Sequence, residues 1–282
     1  LSLNELKAAI KLSRLPGVGA VRFLELLERF EKPTLALKNE HNKNFEAKKI
    51  SRQSKNKSNT DEQIIKTFEL LDEKKIKGWY FSQPDYPSAL CDLKEPPPVL
   101  FYAGQWPAGR KAAVVGARNV KKNTGKIVAT VVNKLVASGY IVVSGGARGV
   151  DSLAHECALK LEQPTIAVLA NGLDIVYPPE NARLFAEIKS AKGALVTELL
   201  CSAKPRASFF PTRNRIIAGL ADLVVVVQAG PASGTMITAK RALKLGRRLL
   251  VAMPPAGEKQ GWEGSLDLVK EGAESFDPAL QL

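Results

Sequence analysis

Histidine and cysteine are scarce in this chain, and the scarcity excludes several chemistries. Its 282 residues include 2 histidines, His41 and His155, and 3 cysteines. Two histidines do not build a multi-histidine metal site, and no metal or other cofactor is expected. Cys91, Cys157 and Cys201 are odd in number, scattered, and form no Cys-x-x-Cys pair. That pattern argues against a disulfide framework or a zinc site and for a reducing compartment. No apolar run approaches the ~20 residues needed to span a bilayer. Asn4, Glu5 and Lys7 stand where a signal peptide would carry its apolar core. The expected location is therefore the cytoplasm. Negative charge is short as well. Asp and Glu number 28 against 41 Lys and Arg, a net charge of +13. Such an excess favours an anionic partner, with nucleic acid the first suspect.

What is present suits a folded protein of two parts. An apolar content of 45% supports a sizeable core, and the length accommodates one large α/β domain beside a small one. Residues 1–37 read as a small all-α domain. Ser2 and Glu5 have the spacing of a capping box, in which each side chain satisfies a free N–H at the helix start. Leu3, Leu6 and Ile10 then share a helical face, as do Val21, Leu24, Leu27 and Phe30 in a second helix. Between them lies Leu-Pro-Gly-Val-Gly-Ala, residues 15–20. Helix, glycine turn and helix resemble a helix-hairpin-helix, whose turn brings backbone N–H groups to a DNA phosphate. The same pattern serves a simple packing unit, and both readings stay open. Residues 38–62 are rich in Lys, Asn and Ser and poor in large apolar groups, so they read as a basic, flexible linker. A helix is expected from Glu62, with Ile64, Ile65, Phe68 and Leu71 apolar.

The main domain, residues 63–282, settles into a regular alternation after a proline-rich stretch of extended segments and turns. Lys-Ala-Ala-Val-Val, Tyr-Ile-Val-Val-Ser, Pro-Thr-Ile-Ala-Val-Leu, Gly-Ala-Leu-Val-Thr, Leu-Val-Val-Val-Val and Arg-Leu-Leu-Val-Ala read as strands. Helical patterns separate them, one opening at Asn214. Continuous apolar strands alternating with helices predict a mostly parallel sheet covered on both faces, a Rossmann-like, doubly wound α/β fold.

In such sheets a ligand sits beyond the carboxyl ends of the strands, near a switch in strand order. Four strand ends here carry glycine. The first is followed by Gly116 and Arg118, the second by Ser144, Gly145, Gly146, Arg148 and Gly149. Asn171 and Gly172 follow the third, and then Tyr177 to Asn181; Gly234 and Thr235 follow the Val-rich strand. Glycine lets backbone N–H groups approach phosphate oxygens, and helix N-termini add partial positive charge. Arginine supplies a bidentate fork for the same oxygens. Lys204, Arg206, Arg213 and Arg215 extend the positive surface around Phe209 and Phe210. Phe210 is a candidate for stacking on a base, and at least one of the two phenylalanines is expected in the core. His155 reads as structural, and no Ser-His-Asp arrangement is evident.

A dinucleotide fits poorly, because Gly-x-Gly-x-x-Gly is missing and Ser144-Gly145 stands where a ribose-binding acid belongs. No P-loop is present. The motifs Val-Val-Gly-Ala-Arg-Asn at 114–119, Val-Val-Ser-Gly-Gly-Ala-Arg-Gly-Val-Asp at 142–151, and Phe-Phe-Pro-Thr-Arg-Asn-Arg at 209–215 closely resemble the DNA-processing protein A (Smf) family of bacteria. The resemblance covers roughly residues 78–273. It implies a protein that binds single-stranded DNA in natural transformation, protects it, and helps load a RecA-type recombinase. It also implies a homodimer without catalytic activity. Carried over by motif, Arg118 holds a phosphate. The 144–151 loop, Asn171, Gly172, and the basic stretch from Lys204 through Arg206 to Arg213, with Asn214, complete the pocket. Asp151 is expected to cap its helix or to orient Arg118 or Arg148. Two departures stand out. No winged-helix domain is expected after residue 273, and the 38–62 stretch looks longer than the family needs. The rival reading is a nucleotide sensor or hydrolase of the same superfamily. Hydrolases of that kind carry a glutamate after Gly-Thr, and here Thr235 is followed by Met236, Ile237 and Thr238, so the general base is missing.

Overall fold

The computed structural model describes residues 2–47 and 57–277, the side chains of 41–59 excepted. Four helices come first: α1 (Leu3–Leu12), α2 (Ala20–Phe30), α3 (Pro33–Ala47) and α4 (Lys57–Asp72). Strands β1 (Lys77–Tyr80), β2 (Val99–Gly104) and β3 (Lys111–Val115) lead to α5 (Thr124–Ala137). Then come β4 (Ile141–Ser144), α6 (Val150–Lys160), β5 (Thr165–Val168), α7 (Ala182–Ser190) and β6 (Ala194–Thr197). The last elements are α8 (Phe209–Leu220), β7 (Leu223–Val226), α9 (Gly234–Lys244), β8 (Arg248–Ala252), α10 (Glu263–Lys270) and β9 (Glu274–Phe276). Among the described residues the strands form one nine-stranded sheet in the order β1-β2-β6-β5-β4-β3-β7-β8-β9. From β6 to β9 every pairing is parallel, while β1 and β2 join antiparallel at one edge. The doubly wound α/β fold expected from the apolar strands is present. No helix among the described residues is long and apolar enough to cross a membrane.

Alternation along each strand sends successive side chains to opposite faces. Ala113 and Val115 of β3 pack with Ile216 and Ile217 of α8 and Ala239 of α9. Ala112 and Val114 pack instead with Val128 and Val131 of α5 and Ala154 of α6. Burial on both faces explains why these strands read as unbroken apolar runs. Each fully buried valine there contributes on the order of 1.5–3 kcal/mol relative to exposure.

The N-terminal helices differ from the sequence reading in three ways. The 38–62 stretch is not a loop over its described part, since α3 runs to Ala47 and α4 begins at Lys57; residues 48–56 lie outside the described residues. Ser2 makes no side-chain cap, and Glu5 does not serve its own helix. Its carboxylate accepts the Thr34 N–H at 3.0 Å and the Thr34 hydroxyl at 2.8 Å, which satisfies the start of α3. The buried face of α2 is Phe23, Leu26 and Leu27, while Val21 is exposed. Leu3 and Ile65 are exposed as well. The residues that point inward join one core with Leu71 and with Val99, Phe101 and Ala103 of β2. Arg14 fastens this layer to the sheet by donating to the Glu198 carbonyl at 3.0 Å.

His155 is structural, as its sequence context suggested. It is fully buried on α6, with Nδ1 2.8 Å from the Thr165 hydroxyl. Thr165 gives its own proton to the Val142 carbonyl, so the imidazole donates from Nδ1 and is unprotonated at Nε2. Burial, and then the Arg213 charge, push its pKa down to about 3. In an unfolded chain histidine titrates near about 6.5. Between those values the unfolded chain takes up a proton that the native one refuses, so stability falls as pH drops below 6.5. The expected loss is roughly 1.4 kcal/mol per pH unit. Urea midpoints at neutral and mildly acidic pH check this. His155→Asn, which keeps a donor toward Thr165, should flatten the dependence. An unchanged slope in that variant would show that His155 is not its source.

Candidate nucleic-acid interface

Strand order reverses between β3 and β7. From β3 the chain winds outward through β4, β5 and β6, and from β7 it winds the other way through β8 and β9. The loops leaving β3 and β7 therefore part, and a crevice opens between them. It is a cleft of about 420 Å³ lined by Gly116, Ala117, Arg118, Asn119, Phe210, Arg213, Asn214, Ser233, Gly234 and Thr235, among others. A smaller recess of about 60 Å³ adjoins it, sharing Arg118, Ala147 and Phe210 and adding Gly145, Gly146, Arg148, Asn171, Tyr177 and Pro178.

Arg118 and Phe210 stand on the boundary of the two. Arg118 is exposed, and its guanidinium carbon lies 5.1 Å from the Phe210 ring centre. Tyr177 meets Phe210 edge-on at 6.0 Å. Neither Phe209 nor Phe210 is a core residue; both are half-buried, contrary to the expectation for at least one. The reason is that α8 begins at Phe209 rather than near Asn214, with Pro211 in its first turn. Both rings are thereby held at the exposed end of the helix. At the cleft's other wall α9 begins. The Thr235 hydroxyl donates to the Gly116 carbonyl at 3.0 Å and ties the two loops together. Among the described residues the Ser233 hydroxyl is buried without a partner, in a residue that lines the cleft.

Several of the expected residues line the cleft but are buried and engaged within the protein. Arg213 is 6% exposed. It donates to the carbonyls of Gly145 and Val168 and to Asn214 Oδ1, the last at 3.0 Å. Asp151 faces this guanidinium rather than Arg118 or Arg148, and its carboxylate accepts the N–H groups of Gly145 at 3.1 Å and Ala147 at 3.4 Å. Burial raises the Asp151 pKa, and burial lowers that of Arg213 to about 10, so Arg213 stays a cation at neutral pH. A Cβ on Gly145 would lie 2.5–2.6 Å from the Arg213 guanidinium and the Asp151 carboxylate and would force both side chains to shift. Gly149, at φ +78°, lets the loop approach the Ala117 carbonyl, which a Cβ would meet at 2.3 Å.

The remaining assignments divide along the same line. Ser144 is fully buried and donates to the Val114 carbonyl. Asn171 spends its amide on the Gly172 and Ile175 carbonyls, and the Gly172 N–H is bonded to Ala203. Asn214 donates to the Gly234 carbonyl at 3.1 Å. Arg148 lines the recess but is ion-paired with Glu180. Lys204 and Arg206 are exposed and line neither cavity; Arg206 lies over Phe209 at 5.8 Å instead. Tyr177, Pro178 and Ser233 lay in the strand-end stretches of the sequence without being assigned to the pocket. Asn181, which donates to the Gly146 carbonyl and the Ser152 hydroxyl, holds the glycine loop in place.

Residues 77–281 match the family described as DNA recombination-mediator protein A. Protein Smf of Synechocystis is 35% identical over 271 residues, 93% of this chain and 68% of that protein. The structure of DNA processing protein A (DprA) from Streptococcus pneumoniae superposes with a TM-score of 0.75 at 28% identity, covering 98% of this chain and 95% of that one. DNA processing protein A from Helicobacter pylori, whose structure is described as giving a unique single-stranded DNA binding mode, superposes with a TM-score of 0.63 at 30% identity, covering 73% of this chain and 93% of that one.

Proposed function

The chain belongs to the DNA recombination-mediator protein A family, and from that membership and the cleft we propose that it binds single-stranded DNA at the β3/β7 switch point. The observation that carries the reading is Arg118 lying over the half-buried Phe210 at the mouth of both cavities. A cation beside an accessible ring is what a splayed strand requires, one group for the phosphate and one for the base. The N-terminus of α9 at Gly234 offers further backbone donors to phosphate oxygens. A paired duplex keeps its bases stacked inside and has none to place on Phe210. Binding rather than catalysis is the proposed role. Asp151, the carboxylate on the cleft wall, is buried and engaged by two loop amides. In a cell the protein would shield an incoming strand in the cytoplasm during transformation, act as a homodimer, and pass the strand to a RecA-type recombinase.

Fluorescence anisotropy with labelled oligonucleotides in a salt series tests the reading. Single strands should bind more tightly than duplex, with little sequence preference. Affinity should fall with salt by a slope of about −0.7 for each phosphate neutralised. Phe210→Ala should cost about 1–3 kcal/mol of affinity and leave that slope nearly unchanged, because it removes a ring and no charge. Binding of a free mononucleotide in preference to any oligonucleotide would overturn the proposal in favour of a small-ligand sensor.

A further inference from the structure

A second basic groove lies along the opposite side of α8 from the switch-point cleft. Phe209, Thr212 and Arg215 follow one another at helical spacing on that side, while Phe210, Arg213 and Asn214 line the cleft. Phe209 and Thr212, with Arg14 from the N-terminal helices and the Glu198 carboxylate that offsets its charge, line a cavity of about 300 Å³. The Thr212 carbonyl accepts from Arg241 at 3.4 Å, and Arg241 belongs to the next groove, of about 280 Å³. Arg215, Arg241, Lys244 and Lys94 line that groove against Glu95. Arg215 is 14% exposed and gives Nη2 to the Glu198 carboxylate, yet its Nη1 is buried with no partner among the described residues. Burial, and then the neighbouring Arg215 charge, hold Arg241 below the ordinary arginine value. Glu198 and Glu95 act against this, and Glu198 is shared with Arg14 and Arg215. Cations crowded this way repel one another, and an entering oxyanion relieves the repulsion.

We propose that a single strand held in the switch-point cleft continues over the first turn of α8, lays a base against Phe209, and places a phosphate among Arg241, Lys244 and Lys94. The inference rests on the reading of the cleft given above. From Phe209 to Arg215 the helix rises about 9 Å, a length that one or two further nucleotides bridge. Alternation of ring and cation along this path, Phe210 with Arg118 and then Phe209 with Arg206, is the pattern that serves a strand of any sequence.

The test compares oligothymidylates of about six and about twenty nucleotides, bracketing the usual site sizes. Two double variants are used, Arg241→Gln with Lys244→Ala, and Lys94→Ala with Lys244→Ala. Lys94 and Lys244 are exposed, so the second pair keeps the test usable if the first disturbs packing. Wild type should bind the long strand more tightly than the short one. The variants should bind the short strand within about twofold of wild type and the long strand roughly tenfold more weakly. Their salt slope on the long strand should be shallower by about 0.7. If both variants bind the long strand as wild type does, the inference is wrong. Inorganic phosphate, followed by phosphorus NMR, separates the other source of the same chemistry. Loss of its binding in the variants with long-strand affinity intact would make the groove a free-phosphate site and overturn the strand path. If wild type binds neither length, the reading of the cleft falls and the groove proposal with it.

Discussion

Arg213→Ala is expected to destabilise the folded protein by about 3–5 kcal/mol, a fall in melting temperature on the order of 10 °C. Arg213 joins the loops that follow β4 and β5. It is 6% exposed, donates to the carbonyls ending β5 and opening the glycine loop, and faces the Asp151 carboxylate. Truncation leaves those carbonyls short of a donor and leaves a buried carboxylate with only the Gly145 and Ala147 amides. Breaking one side of a buried pair costs more than the pair contributes, because the other charge stays desolvated. Asp151→Asn in the Arg213→Ala background should therefore cost less than the two single changes added together. The shortfall is expected to be about 0.5–3 kcal/mol, as for residues that share one hydrogen-bond network, here through Gly145. Denaturant midpoints of the four proteins measure this. Strict additivity would mean that the two side chains do not act on each other.

Arg118→Ala should leave stability within about 0.5 kcal/mol of wild type, as is usual for an exposed position, and should weaken single-strand binding by about 1.5–3 kcal/mol. That is roughly a ten- to 150-fold rise in Kd. Arg118 is exposed and reaches Phe210 rather than a carboxylate, so its charge remains available to a phosphate. Removing it should also make the salt slope shallower by about 0.7, which Phe210→Ala should not do. Arg118→Lys should recover only part of the loss, because a lysine lacks the planar fork. An Arg118→Ala protein that binds single strands as wild type does would move the phosphate site elsewhere.

These two arginines show where sequence reading succeeds and where it stops. The frame of the fold was legible because the strands from β3 to β8 are buried on both faces. A run such as Leu-Val-Val-Val-Val has no stable place at a surface. The edge where the cleft opens was legible from glycines clustered after those strands. Legibility ended at the difference between Arg118 and Arg213, two arginines in basic, glycine-adjacent stretches. Arg213 is held by the Gly145 and Val168 carbonyls, which are remote from it in sequence and are brought together by the parallel sheet. The same limit appears in α2. Apolar residues at 21, 23, 24, 26, 27 and 30 offer two possible faces, and packing of α1, α3 and β2 selects Phe23, Leu26 and Leu27. Glu5 is a third instance, since a carboxylate spaced for its own helix is taken by Thr34 of the next.

In the proposed complex the strand lies across Arg118 and Phe210. Photocrosslinking with an oligonucleotide carrying 5-iodouracil, followed by mass spectrometry of the adducts, tests it most directly. The main adducts should fall on Phe210 and Tyr177, the aromatic pair that lines the smaller recess. Adducts found only on the helices at 2–47, with 177 and 210 unmodified, would contradict it and place the strand on the N-terminal layer instead.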